Sequence, residues 1–146
     1  MFSIHSETVN IWTHLIGSLN IVAITFWFFL RPSNVPYTWQ KVLVFLLFFI
    51  SAVSCMTFSW LYHTLYCHSV QMNKLFSKLD YSGIAILILG SFVPWLYYGF
   101  YCDQAHMIFY IASMVVLSTC CIIFSLWEKF AAPTYRPIRF NQPNLF

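Results

Sequence analysis

The residues able to do chemistry gather in one part of the chain. Ser59-Trp60-Leu61-Tyr62-His63-Thr64-Leu65-Tyr66-Cys67-His68 is followed shortly by Lys78-Leu79-Asp80-Tyr81-Ser82-Gly83. Together they bring a hydroxyl, two imidazoles, a thiol and a carboxylate into an otherwise apolar sequence. Ser59 and His63 stand at i and i+4, so a helix carries both on one face. Two chemistries suit such a set. In a metal site the imidazole ligates zinc, while the carboxylate ligates directly or holds a water. In a nucleophilic set the same residues form a Ser-His-Asp arrangement, recognised by geometry rather than by chain order. Ordinary roles stand beside these. A histidine at the end of an apolar run commonly hydrogen-bonds at an interface, and Asp80 at a helix start would meet the positive end of the helix dipole. Ser59 could bond back to a carbonyl of its own helix. Spacing alone leaves all of these open and favours the structural roles; Cys67 and His68 read as loop residues.

What must position these side chains is a membrane bundle. The chain has 146 residues, 60% of them hydrophobic and 21% aromatic, with only 8% Asp, Glu, Lys or Arg. A soluble domain carries roughly 25% charged residues, so this sequence cannot coat a globule with solvated side chains. The net charge of +3 is too small to serve as a nucleic-acid footprint, and no nucleic-acid partner is expected. Five cysteines, an odd number with no CxxC pair, read as unpaired thiols. The N-terminus lacks the basic segment of a cleavable leader, and the first apolar run is too long for one.

Four apolar runs, at about 11–30, 42–63, 81–101 and 107–127, each approach the ~20 residues that cross a bilayer as a helix. None contains Asp, Glu, Lys or Arg, although such residues sit just outside several ends. A mid-membrane charge costs at least ~2.5 kcal/mol, which explains that placement. The expected fold class is therefore an all-α membrane protein with four transmembrane helices. Residues 1–10 form a cytosolic N-terminal segment, 11–130 the transmembrane bundle and 131–146 a cytosolic polar tail. Ser6 or Thr8 suits a helix cap, and Glu7 suits the positive end of a helix dipole. His14 and Asn20, polar groups inside the first run, read as hydrogen-bonding to a neighbouring helix or lying near headgroups. Asp80 is expected to open the third helix. Gly83 and Gly90, seven apart, let another helix approach closely. Pro94 should kink that helix, and Trp95, Tyr97, Tyr98 and Tyr101 form an interfacial belt. With the N-terminus inside, Lys74, Lys78, Lys129, Arg136 and Arg139 lie inside, against only Arg31 and Lys41 outside, as the positive-inside rule favours. The cluster then faces the cytosolic leaflet, and His106 the opposite face.

The same residues also read as words. Ile4-His5-Ser6-Glu7-Thr8-Val9-Asn10-Ile11-Trp12-Thr13-His14-Leu15, Phe58–Ser69, Phe76–Ile84 and Gly90–Tyr98 resemble segments of the progestin and adipoQ receptor family (haemolysin-III-related). The adiponectin receptor branch looks most similar, and the likeness runs from about Ser3 to about Arg139. It implies a seven-helix membrane fold, a cytosolic N-terminus, a plasma-membrane location and a zinc ion near the cytosolic leaflet. In the family pattern His63 would be a zinc ligand, Asp80 would hold the zinc-bound water as base, and Ser59 would lie beside the site. The implied chemistry is zinc-dependent hydrolysis of a lipid amide such as ceramide, coupled to hormone binding outside. The implied partners are the bilayer, a lipid substrate, an extracellular protein hormone and a homo-oligomer. One departure matters. The pattern has seven spans, with a further His pair at i, i+4 in the last completing the zinc site, whereas this chain offers one of the three ligands. His106 sits at the wrong face, and His5 and His68 match no family ligand. The expectation is a partial chain of a longer receptor. The alternative is a truncated, non-catalytic four-span protein acting with full-length members.

Overall fold

A computed structural model describes residues 6–32, 38–65 and 68–127, and these form four helices: α1 Ser6–Leu30, α2 Trp39–Leu65, α3 Val70–Gly99 and α4 Gln104–Leu126. All four are long and apolar enough to cross a membrane, and no strand occurs among the described residues. The polar tail at 131–146, His5, Cys67, Lys129, Arg136 and Arg139 lie outside the described residues.

The helices start where the sequence offers caps. Glu7 falls in the first turn of α1. Ser69 caps α3 by accepting from the Met72 amide at 3.2 Å. Asp103 caps α4, its Oδ1 accepting from the His106 amide at 3.2 Å while His106 Nδ1 meets Oδ2 at 2.6 Å. Those contacts, the backbone hydrogen bond first, hold the Asp103 carboxyl below the usual carboxylate range.

α3 differs from the sequence expectation at its start. It begins at Val70 rather than at Asp80, so Asp80 lies almost three turns inside the helix and does not meet its N-terminal dipole. The physical reason is that hydropathy marks only the part of a helix within lipid. Residues 70–79, with Asn73, Lys74 and Lys78, are polar enough to end an apolar run, yet they continue a helix once Ser69 caps it. At the other end α3 continues through Pro94 to Gly99, where Tyr97 packs edge-on against Tyr98 and Tyr101.

Packing follows chain order among the described residues: α1 on α2, α2 on α3, α3 on α4, with no contact between α4 and α1. The buried residues are mostly small, including Ser18, Ser51, Ala52, Cys55, Ser82 and Ala85. Large side chains such as Trp12, Leu19, Phe26, Phe109 and Val116 face outward. Lipid removes the hydrophobic incentive to bury a large side chain, so close contact of small residues holds the helices instead. The expected glycine seam is present. A Cβ on Gly83 would lie 3.1 Å from the Cys55 Cα, and one on Gly90 would overlap the Ser51 Oγ. Hydrogen bonds add to this: Ser18 and Thr57 join α1 to α2 at 3.2 Å, and the Ser125 hydroxyl donates to the Lys78 carbonyl of α3 at 3.3 Å. Toward the far end, Phe28 packs on Phe45 and Phe49, and the Arg31 guanidinium lies over Trp27 and Phe28.

Candidate functional site

Three helices enclose a cavity of about 290 Å³ at the end of the bundle formed by the start of α1, the end of α2 and the first half of α3. α2 contributes Cys55, Ser59 and His63, successive i, i+4 positions on one helical face, with Met56 beside them. α3 contributes Asp80 and Ile84, again four apart. α1 contributes Asn10 and His14. The three residues singled out in the sequence, Ser59, His63 and Asp80, therefore line one cavity.

Their surroundings differ. Ser59 is 5% exposed. The His63 side chain is 16% exposed, and its Nδ1 lies 2.5 Å from Oε2 of Glu7, which is itself 47% exposed. Asp80 makes no hydrogen bond or ion pair among the described residues, so its carboxylate is available to whatever enters. No hydrogen bond joins Ser59 to His63, and the carboxylate on the His63 ring is Glu7 rather than Asp80. A Ser-His-Asp relay needs both of those contacts, so the arrangement does not have the form of a nucleophilic triad.

His14 packs against α2 without the interhelical hydrogen bond that was one of its expected roles. Its ring meets the His63 ring edge-on, with centroids 6.3 Å apart, and its buried Nδ1 has no partner among the described residues. A polar atom buried in that way costs about 1–3 kcal/mol, a cost more in keeping with a site than with a packing contact. Asn20, the other polar residue of the first run, is exposed on the outside of α1. His68 sits in the turn before α3 and does not line the cavity, and His106 is at the opposite end of the bundle.

Glu7, Asn10, His14 and Cys55 belong to the site but do not stand out in the sequence. The α1 residues did carry a signal, since Glu7, Asn10 and His14 at i, i+3 and i+7 make one polar stripe on an apolar helix. Cys55 carried none, being one of several thiols within apolar runs.

The donor types suit zinc, which accepts imidazole, carboxylate and thiolate. Their number and convergence do not. A catalytic zinc takes three protein ligands, and among the described residues no group of three His, Cys, Asp or Glu is placed to hold a metal ion. The described part of these four helices does not complete a metal centre.

The fold and cavity define a multi-pass α-helical membrane protein with a largely apolar chamber at one end, lined also by two imidazoles and a carboxylate. Comparison with known proteins makes the class specific. The pattern of the family described as haemolysin-III related matches residues 2–142. The chain is 51% identical over 139 residues to the adiponectin receptor protein of Drosophila melanogaster, a match covering 95% of this chain and 31% of that protein. It is 50% identical over 139 residues to progestin and adipoQ receptor-like protein 1 of Caenorhabditis elegans, covering 95% of this chain and 32% of that protein. It is 30% identical over 177 residues to heptahelical transmembrane protein 3 of Arabidopsis thaliana, covering 96% of this chain and 52% of that protein. The chain belongs to the haemolysin-III-related family, among the adiponectin and progestin receptor proteins. It spans about a third of the length of the fruit-fly and nematode relatives.

Proposed function

We propose that these four helices are part of an adiponectin-receptor-like membrane receptor and form one wall of a zinc-dependent lipid-amide hydrolase centre, with ceramide as the substrate class. The observation that carries this reading is the convergence of His63, Asp80 and Ser59, from two helices, on one cavity at the end of the bundle. The names of the relatives supply the receptor half of it. The chamber lies at the cytosolic leaflet of the plasma membrane and the hormone-facing surface lies opposite. Lys74 and Lys78 near the chamber, with Arg31 and Lys41 at the other end, support that orientation.

The chain's own residues divide the work. His63 supplies one imidazole ligand, and the remaining ligands come from outside the described residues. Zinc, when bound, acidifies a water and polarises the amide carbonyl. Asp80, without a hydrogen-bond or ion-pair partner among the described residues, accepts the proton of the attacking water and returns it to the departing amine, so that amide and water become carboxylic acid and amine. The buried Ser59 hydroxyl offers a hydrogen bond to the amide. Met56 and Ile84 give the cavity an apolar side, while the lipid chains remain in the bilayer.

A chimera tests this reading. The matching segment of the fruit-fly receptor is replaced by this chain, and zinc content and ceramide turnover are measured together. The expected result is zinc-dependent turnover, with zinc lost in His63→Ala. Asp80→Ala should retain zinc and lose turnover by about 10²–10⁴-fold, the usual worth of a general base. Full ceramide turnover by the Asp80→Ala chimera would eliminate the role given to that carboxylate.

A further inference from the structure

α1 does more than close one side of the cavity. Its first turn places Glu7 Oε2 at 2.5 Å from Nδ1 of His63, across a sequence separation of 56 residues. Two turns further along the same face, His14 sets its ring edge-on against that imidazole. From α2 itself the neighbouring Tyr62 ring lies 5.1 Å from it, centroid to centroid. The His63 ring is thus held at one nitrogen by a carboxylate and flanked by two other rings.

We infer that Glu7 is a positioning residue for His63: it holds the proton on Nδ1 and so presents the Nε2 lone pair to the cavity. A carboxylate can only accept hydrogen bonds, so the ring nitrogen facing Glu7 carries the hydrogen. A neutral imidazole bears one N–H, and the hydrogen bond at one nitrogen decides the state of the other. Without the carboxylate, a neutral imidazole tends to carry its proton on Nε2, where it can neither ligate a metal nor accept a proton. Second carboxylates of this kind commonly orient metal-binding histidines. The position of Glu7 serves both ends of the contact, because its negative charge also lies in the first turn of α1, where the helix dipole favours it. Assigning work to Nε2 rests on the proposed hydrolase reading, whereas the tautomer itself does not.

The test is made on the full chain in lipid nanodiscs with ¹⁵N-labelled histidine, at a pH where His63 is neutral. Nitrogen chemical shifts separate protonated from unprotonated ring nitrogens, and His63→Gln identifies the resonance. The wild type should show Nδ1–H and a bare Nε2. Glu7→Ala should move the proton to Nε2. Glu7→Asp should do the same, because its shorter side chain withdraws the oxygen while keeping the charge in the first turn of α1; it therefore serves where Glu7→Ala fails to fold. Helix content by circular dichroism checks each variant. A wild type protonated on Nε2, or a folded variant that keeps Nδ1–H, would overturn the inference. Zinc binding by the fruit-fly chimera described above tests the underlying reading separately. Zinc affinity of the chimera should weaken about 10–100-fold in Glu7→Ala, the usual cost of losing such a partner. A chimera that takes up no zinc, with the tautomer as expected, would remove the metal reading and leave the positioning role standing.

Discussion

Gly90→Ala should loosen the whole site from a position far from it. A Cβ at Gly90 would overlap the Ser51 Oγ and stand 2.5 Å from the Ser51 Cβ and 3.1 Å from the Leu47 carbonyl oxygen. Rotating the Ser51 hydroxyl away, at the loss of its 2.7 Å hydrogen bond to the Phe48 carbonyl, relieves only the first contact. The Cβ of Ser51 is fixed by its backbone, and carbon atoms prefer ~3.5–4.0 Å. α2 and α3 must therefore separate by roughly 1 Å at this level. Overpacking of this severity belongs at the upper end of the usual range, about 3 kcal/mol. Alanine recovers about 1 kcal/mol of helix propensity over glycine. The net loss is about 2 kcal/mol, roughly a 30-fold shift toward the unfolded state. His63 lies twelve residues further along α2, about 18 Å at the helical rise, so separation at Ser51 also displaces it relative to Asp80. Detergent-induced unfolding, followed by helix circular dichroism, measures the change. Ser51→Gly should restore most of the loss in the double variant, since it deletes both colliding atoms. If Gly90→Ala unfolds at the wild-type denaturant concentration, or Ser51→Gly gives no rescue, the close contact is not what holds α2 to α3.

Two further outcomes follow from the geometry. The purified chain by itself should hold no tightly bound zinc after dialysis, because among the described residues no three His, Cys, Asp or Glu side chains converge to make a catalytic ligand set; one zinc per chain, lost on His63→Ala, would show that the four helices suffice. The cap of α4 should weaken in acid. Asp103 has its carboxyl held low by the His106 amide and ring, so its contribution is complete above the ordinary carboxylate value of about 3.9 and fades as pH falls through the lower folded-state value. The protection of amides at the start of α4, relative to their free-peptide exchange rates, should therefore fall below about pH 4, and Asp103→Asn, which still caps but does not titrate, should remove that dependence. Unchanged acid sensitivity in Asp103→Asn would assign it to another group.

Much of the bundle was open to a reader of the sequence, because a bilayer acts on each segment separately. Length, exclusion of charge and flanking aromatics are local properties, and they located four spans. The α2–α3 seam was legible as well, since Gly83 and Gly90 share a face by simple helical spacing and only small residues permit that approach. Ser59 and His63 could be paired within one helix for the same reason. Asp80 shows where the local reading stops. Hydropathy put it at the start of a helix, but the helix continues beyond the apolar run back to Val70, which moves Asp80 inward.

Composition and spacing sufficed to show a helical membrane protein with four spans, and to place His63 and Asp80 at the same end of neighbouring helices. Only the tertiary structure decided which side of α1 faces them. A span whose other faces are all apolar can turn most of them toward its neighbours at little cost, because lipid and protein interior are equally apolar. The choice rests on a few polar contacts between distant residues: Ser18 with Thr57, and Glu7 with His63. Those contacts turn the stripe of Glu7, Asn10 and His14 inward. They make a wall of the site from residues of which, read along the chain, Glu7 suited only the helix dipole and His14 only a hydrogen bond or the headgroup region.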